Sequence, residues 1–234
     1  SDPTQGFVSL PFNRSYYHIQ KPYDVPEDQL YCAFIDGVHK CWVYSTDKPH
    51  TTTSQTLPRT EIAIQGYNYS SGVWEFEAFG YVPKGTSGVC IMQVFGATYC
   101  SLTLMLRVYN GSLTYYMAPV LVPNIYDKWF KLNVVHDVDG AKVRVYIDRC
   151  LKIEADGRGG TSHAFKCGVY AQMNDSNYME SRWKHIKVLR KALYFDDCIS
   201  WKVDQHVCST TSFKLSIENK MKSTTQTVKH AIIL

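Results

Sequence analysis

Three short segments far apart in the chain carry the side chains best suited to chemistry: Arg59-Thr60-Glu61-Ile62-Ala63, Gln93-Val94-Phe95 and Phe165-Lys166-Cys167-Gly168-Val169-Tyr170-Ala171-Gln172. A guanidinium, an ammonium, amides and a phenol are groups that hold an anion in place and move a proton beside it. In an extended chain successive side chains point to opposite faces, so positions 59, 61, 63 and 65 share one face of their strand. By the same alternation Lys166, Gly168, Tyr170 and Gln172 share one face of theirs. Their common orientation suits a groove, although a plain solvated sheet face shows the same pattern. Arg59 and Glu61 also read as a mutually satisfied ion pair that orders its strand. Arg107, Tyr109 and Tyr115 either line the same groove from adjacent strands or simply pack. The 8 histidines are spread out, none in a recognisable metal or nucleophile spacing.

The elements that must position these groups are strands. Almost every periodic segment alternates with period two, and the turns are short and rich in Gly, Asn and Asp. Val73 to Tyr81 reads as a long strand, followed by the turn Pro83-Lys84-Gly85-Thr86 and a strand from Val89 to Phe95. Leu102 to Tyr109 puts leucines and Val108 on one face and Arg107 and Tyr109 on the other, before an Asn110-Gly111 turn into Leu113 to Met117. Trp129 to Val135 and Lys142 to Ile147 form a further hairpin, and Lys166 to Met173 and Trp183 to Leu189 supply two more strands. About a dozen strands with no useful helix predict an all-β fold, a sandwich or jelly roll of two stacked antiparallel sheets.

At 234 residues, 45% hydrophobic and 20% charged, the chain is long enough for one sizeable core and does not require two domains. The 17 tyrosines suit pleated faces that pack on one side and stay wet on the other. The net charge of +4 comes from scattered Lys and Arg, which leaves no footprint for nucleic acid. No apolar stretch has membrane-spanning length, and Ser1-Asp2-Pro3 carries no leader pattern. From about residue 192 strands become hard to find, so residues 1–191 read as one domain and 192–234 as a tail, or a strap stapled by Cys198 and Cys208.

The 8 cysteines, with sequons at Asn13, Asn68, Asn110 and Asn174, point to the secretory pathway, extracellular or vacuolar. Cys32 and Cys41 bracket an Asp36-Gly37 hairpin turn, and counting back from it pairs Ile35 with Val38, Phe34 with His39, Ala33 with Lys40 and Cys32 with Cys41. The two sulfurs should therefore form a disulfide across a non-hydrogen-bonded rung. No clustered ligand pattern supports a metal, and no cofactor is expected.

The three segments resemble the alginate-lyase family (polysaccharide lyase family 7 type), whose signatures run R-T/S-E-x-R, Q-I/V-H and Y-F-K-A-G-x-Y-x-Q on neighbouring strands of a jelly-roll groove. From about Asp2 to Lys191 the chain is similar to the plant branch of that family, the citrate-binding proteins, through Trp42 to His50, Leu104 to Leu113 and Tyr178 to Trp183. The resemblance implies that Arg59 and Gln93 engage a substrate carboxylate and that Tyr170 donates or removes a proton. It also marks two departures: the histidine place holds Phe95, which can exchange no proton, and the second arginine place holds Ala63. The related plant proteins carry arginines at the places of Ala63 and Gln65, so the ligand here would be less anionic. Ligand-binding residues are then Arg59, Glu61, Gln93, Phe95, Arg107, Lys166 and Gln172.

Three functions follow as expectations. The first is a binding protein for a small organic acid or sugar acid that lacks efficient lyase chemistry. The second is an enzyme using Tyr170, either eliminating across a uronate polymer or acting on a plant specialised metabolite. The third is a wall-associated, lectin-like module. All three expect a small-molecule or oligosaccharide ligand, with no nucleic acid or membrane partner; oligomeric state is left open.

Overall fold

The computed structural model describes residues 2–29, 31–98 and 102–192. Cys100, Cys198, Cys208 and the expected tail beyond Ala192 lie outside them. In chain order the strands are β1 (Phe7–Ser9), β2 (Tyr17–Gln20), β3 (Cys32–Ile35), β4 (Val38–Tyr44), β5 (Arg59–Ile64), β6 (Val73–Tyr81), β7 (Val89–Phe95), β8 (Leu102–Tyr109), β9 (Ser112–Tyr115), β10 (Val120–Val122), β11 (Phe130–Asp137), β12 (Lys142–Ile147), β13 (Cys150–Asp156), β14 (Ala164–Ala171) and β15 (Tyr178–Lys191). A single 3-10 turn, Arg14–Tyr16, is the one helical element among the described residues. No helix there is long and apolar enough to cross a membrane.

Two sheets result. The first runs β13-β12-β11-β6-β15-β4-β3, with β1 added to β15, and the second runs β10-β9-β8-β7-β14-β5-β2. Every named strand pair is antiparallel. The inner faces meet in one core: Phe76, Leu132, Val134, Met179 and Trp183 come from the first sheet, and Ile62, Val94, Leu104, Leu106, Cys167 and Val169 from the second. Alternation dictates this, since every second residue of a strand must leave water for the sandwich to close. The all-β jelly-roll sandwich expected from the sequence is the observed fold.

The Asp36-Gly37 hairpin has the expected register, Ile35 opposite Val38 through to Cys32 opposite Cys41. Both turn residues lie at positive φ, 50° and 77°, as a two-residue turn of this hand requires. Cys32 and Cys41 are disulfide-bonded. Cys90, Cys150 and Cys167 have no disulfide partner among the described residues.

β1, β2, β10 and β13 add to the expected strands, and β15 outruns its expected bounds. β13 was not foreseen although Leu151, Ile153 and Ala155 alternate with Lys152, Glu154 and Asp156; as the end strand of its sheet it stays mostly exposed. β15 is twice the expected length because a register shift between Lys184 and Lys187 hides its continuity. His185 sits there at φ 53°, a bulge that moves Ile186 onto the core side.

On the outer face of the first sheet lies a buried acidic pair. Asn133 donates from Nδ2 to Glu75 Oε1 at 2.7 Å and to Glu77 Oε2 at 2.9 Å. Burial pushes the Glu77 carboxyl up, but hydrogen bonds from Lys131, Lys187 and Asn133 hold it below its ordinary value. Among the described residues Glu75 has no ion-pair partner, and its Oε2 is buried without a hydrogen bond. Burial and the Glu77 charge raise it to about 8 against the Asn133 hydrogen bond.

Between the ordinary carboxylate range and pH 8 the folded chain thus keeps a proton on Glu75 that the unfolded chain has released, so this group subtracts stability as pH rises. Glu75→Gln should accordingly melt higher than the parent at pH 8.5 and close to it at pH 5. Thermal denaturation of the pair across that range checks this; a constant difference at all pH values would refute the assignment.

Candidate functional site

The second sheet turns its polar residues outward. Ile62, Ile64, Cys167 and Val169 belong to the core, so Arg59, Glu61, Ala63, Lys166, Gly168 and Tyr170 face away from it. Register sets them in rungs. Lys166 lies opposite Ala63 on β5 and Gln93 on β7, Gly168 opposite Glu61, and Tyr170 opposite Arg59 and Cys90. On the next strand, Met105 pairs with Gln93 and Arg107 with Cys90.

Two irregularities make this alignment possible. β7 carries an extra residue relative to β8 between Cys90 and Met92, and β14 carries one relative to β7 between Cys167 and Tyr170. The first puts Ile91 and Met92 both in the core and returns Cys90 and Gln93 to the outer face. Each bulge also bends its strand.

At the centre is a carboxylate removed from water. Glu61 is 0% exposed, receives Gln93 Nε2 at 2.6 Å on Oε1, and meets Arg59 Nη1 at 3.3 Å on Oε2. Burial raises its pKa, opposed by the charges of Arg59 and Lys166 and by the Gln93 and Arg59 hydrogen bonds. The sequence alternative of an Arg59–Glu61 ion pair is therefore present. Arg59 also donates to Thr56 Oγ1 at 3.0 Å, and its guanidinium lies 3.7 Å from the Tyr170 ring centroid.

Lys166 is nearly buried. Its Nζ donates to Gln20 Oε1 at 3.0 Å and lies 4.6 Å from the Phe95 ring centroid. Burial lowers its pKa, and Glu61 partly restores it. Phe95, 39% exposed, is therefore an aromatic wall beside an ammonium. Ala63 sits between His18 and Lys166, while Gln65 bonds to His18 Nδ1 at 3.1 Å and to the Ser15 carbonyl at 3.2 Å.

The structure brings Arg59, Glu61, Gln93, Phe95, Lys166 and Tyr170 together on one face. Arg107 lies one strand further, donating to the sulfur of Met105 at 3.1 Å. Gln172 folds back, its Nε2 bonded to the Ala171 carbonyl at 2.8 Å.

Sequence reasoning missed His50, which follows β4. Burial, then the charges of Arg59 and Lys166, holds its imidazole at about 4, so it is neutral and close to both cations. No spacing signalled it, since it reaches the site from a loop. Thr56, also on a loop, and Gln20, on the end strand β2, left no spacing either. Buried polar atoms without partners gather here: His50 Nδ1, Arg59 Nε, Gln93 Oε1 and Arg107 Nε. Such atoms are uncommon in folded proteins and fit a surface built to meet a polar ligand. No cluster of His, Cys, Asp or Glu that could hold a metal ion exists among the described residues.

Gly168 has a steric role. A Cβ there would approach the Thr60 carbonyl oxygen to 2.3 Å and the Glu61 Cα to 2.8 Å, and its φ is 142°. Gly168→Ala should destabilise the fold by about 3 kcal/mol, combining backbone strain with overpacking. Calorimetry should show a melting temperature roughly 10 °C lower; an unchanged value would mean that β5 and β14 are not packed this closely.

Comparison with known proteins adds the following. A profile described as alginate lyase matches residues 10–190. A citrate-binding protein of Hevea brasiliensis is 46% identical over 199 residues, covering 85% of this chain and 83% of that protein. Among solved structures, alginate lyase A1-II' of polysaccharide lyase family 7 superposes with TM-score 0.61 at 15% identity, over 76% of this chain and 96% of that one. The alginate lyase from Corynebacterium sp. gives TM-score 0.57 at 16% identity, over 80% and 97%.

Proposed function

Because the chain belongs to the alginate lyase family, we propose that its polar face binds a carboxylate-bearing small molecule, an organic acid or a sugar acid, without efficient lyase chemistry. One observation carries this reading. Arg59 and Lys166 flank a single buried carboxylate, so the site holds more cation than it can neutralise internally, and Phe95 stands where the resemblance expects a proton-exchanging histidine. The low-exposure setting strengthens a charge-assisted hydrogen bond to an incoming anion relative to bulk water. Unpartnered Gln93 Oε1 is suited to accept from a ligand hydroxyl. The cysteines and sequons support residence in the secretory pathway, extracellular or vacuolar, as a glycoprotein, and the Hevea relative supports a plant origin.

A specific observation favours a second reading, in which the chain is an enzyme. Tyr170 is stacked under the Arg59 guanidinium, and the neutral imidazole of His50 lies near the same two cations. A phenol and an imidazole together could carry the proton transfers that the family assigns partly to its histidine. Phe95 then becomes part of the wall of a redirected reaction.

Thermal shift against citrate, galacturonate, oligouronates and neutral sugars separates these readings. At a hundredfold excess over Kd, an anionic ligand should stabilise the protein by about 2.7 kcal/mol, and Lys166→Met should weaken binding by roughly tenfold or more. Unsaturated product appearing from alginate, and vanishing in Tyr170→Phe with affinity retained, would overturn the binding-only reading.

A further inference from the structure

A second cavity, of about 670 Å3, opens at the edge of the sandwich where β2 ends the second sheet and the β3–β4 hairpin ends the first. Its walls are mainly apolar: Phe12, Tyr17, Ile19, Phe34 and Ile186 line it. It reaches inward to core residues, since Tyr17, Cys32 and Ile186 also belong to the buried cluster. The volume lies in the range of ligand pockets, and most of such a lining is usually hydrophobic with a few placed polar groups.

The placed polar groups are cationic or neutral. Arg14 stands in the lining, with Nη1 donating to the Tyr17 carbonyl at 2.6 Å and its guanidinium 4.8 Å from the Tyr17 ring centroid. Those two contacts fix the fork while Nε and Nη2 make no hydrogen bond to the described residues. His39 is 8% exposed, packed against Phe34 at 4.4 Å and Tyr17 at 5.5 Å between ring centroids. Burial, then the Arg14 charge, keeps its imidazole uncharged down to about 4. No Asp or Glu is among the lining residues. The β15 bulge supplies the far wall, with His185 in the left-handed region where β-strand residues seldom sit.

An apolar hollow with one fixed cation at its rim and no acid has a definite complement. We propose that this inter-sheet cavity is a second binding site, for an amphipathic monoanion whose aliphatic or aromatic body enters the hollow while its carboxylate or sulfonate meets Arg14. The site is separate from the Arg59–Lys166 face and does not rest on the function proposed for it. Phe34 and Ile35, 62% and 64% exposed on the hairpin, make a contact between two copies of the chain the main rival use of this edge. A flat edge contact, however, needs neither a hollow that reaches the core nor a fixed cation.

The probe is 1-anilinonaphthalene-8-sulfonate, titrated by fluorescence into the full chain at a pH where near-ultraviolet circular dichroism shows native packing. Saturable binding at one molecule per chain is expected, with competition by decanoate. Arg14→Gln should weaken the sulfonate probe and decanoate about tenfold, the equivalent of ~1.4 kcal/mol, and leave decanol affinity within twofold. Ile19→Trp should fill the hollow and remove all three. Phe34→Ser, on the exposed rim, should weaken all three without unfolding the protein, which covers failure of Ile19→Trp to fold. Lys166→Met should leave probe binding unchanged. Non-saturable binding, insensitivity to Arg14→Gln, displacement by citrate, or sedimentation showing a dimer that Phe34→Ser dissolves would each overturn the proposal.

Discussion

The second sheet is organised around a negative charge that cannot reach water. Glu61 is fully buried on the outward face of that sheet, and its oxygens are taken by Gln93 and Arg59. A buried carboxylate left without partners costs several kcal/mol, so its neighbours are constrained by it before any ligand arrives. Arg59 is held between Glu61, Thr56 and the Tyr170 ring, which fixes the phenol as well. Gln93 points one amide end at Glu61 and leaves the other unpartnered. Arg59, Gln93 and Tyr170 are thus oriented by an internal anion, which leaves little ordering entropy to lose on binding a ligand of the proposed kind.

Much of this was legible in the chain, and the legible parts share a cause. Period-two alternation places Arg59, Glu61 and Ala63 on one face regardless of the rest of the protein, and the Asp36-Gly37 turn fixes the Cys32–Cys41 rung by counting alone. Residues brought in by loops or edge strands leave no such trace. His50, Gln20 and Thr56 reach the site through tertiary packing, and no spacing in the sequence marks them. The bulges were hidden for a related reason. Near Ile91 and His185 an extra residue breaks the alternation on which strand recognition depends, so β15 read as half its length.

Phe95 is built into its surroundings by Lys166. An ammonium rests against the phenyl face, and Gln20 takes its hydrogen bond. Next to it Ala63 lies opposite Lys166, and Gln65 turns aside to His18 and the chain at Ser15. The face is therefore closely packed, with its ammonium on β14 and neutral amides toward β2.

The order in which strands join the sheets bears on how the protein is made. β14 sits between β5 and β7 in one layer, while β15 joins β1, β4 and β6 in the other. Each layer has two halves that β14 or β15, the last of the described strands, must join. Until those two strands are made, β4, β5, β6 and β7 present unpaired edges, the state most exposed to intermolecular pairing. Such long-range closure makes for slow assembly, and it gives chaperones of the compartment where synthesis ends a longer interval in which to act than a helical chain of equal size would need.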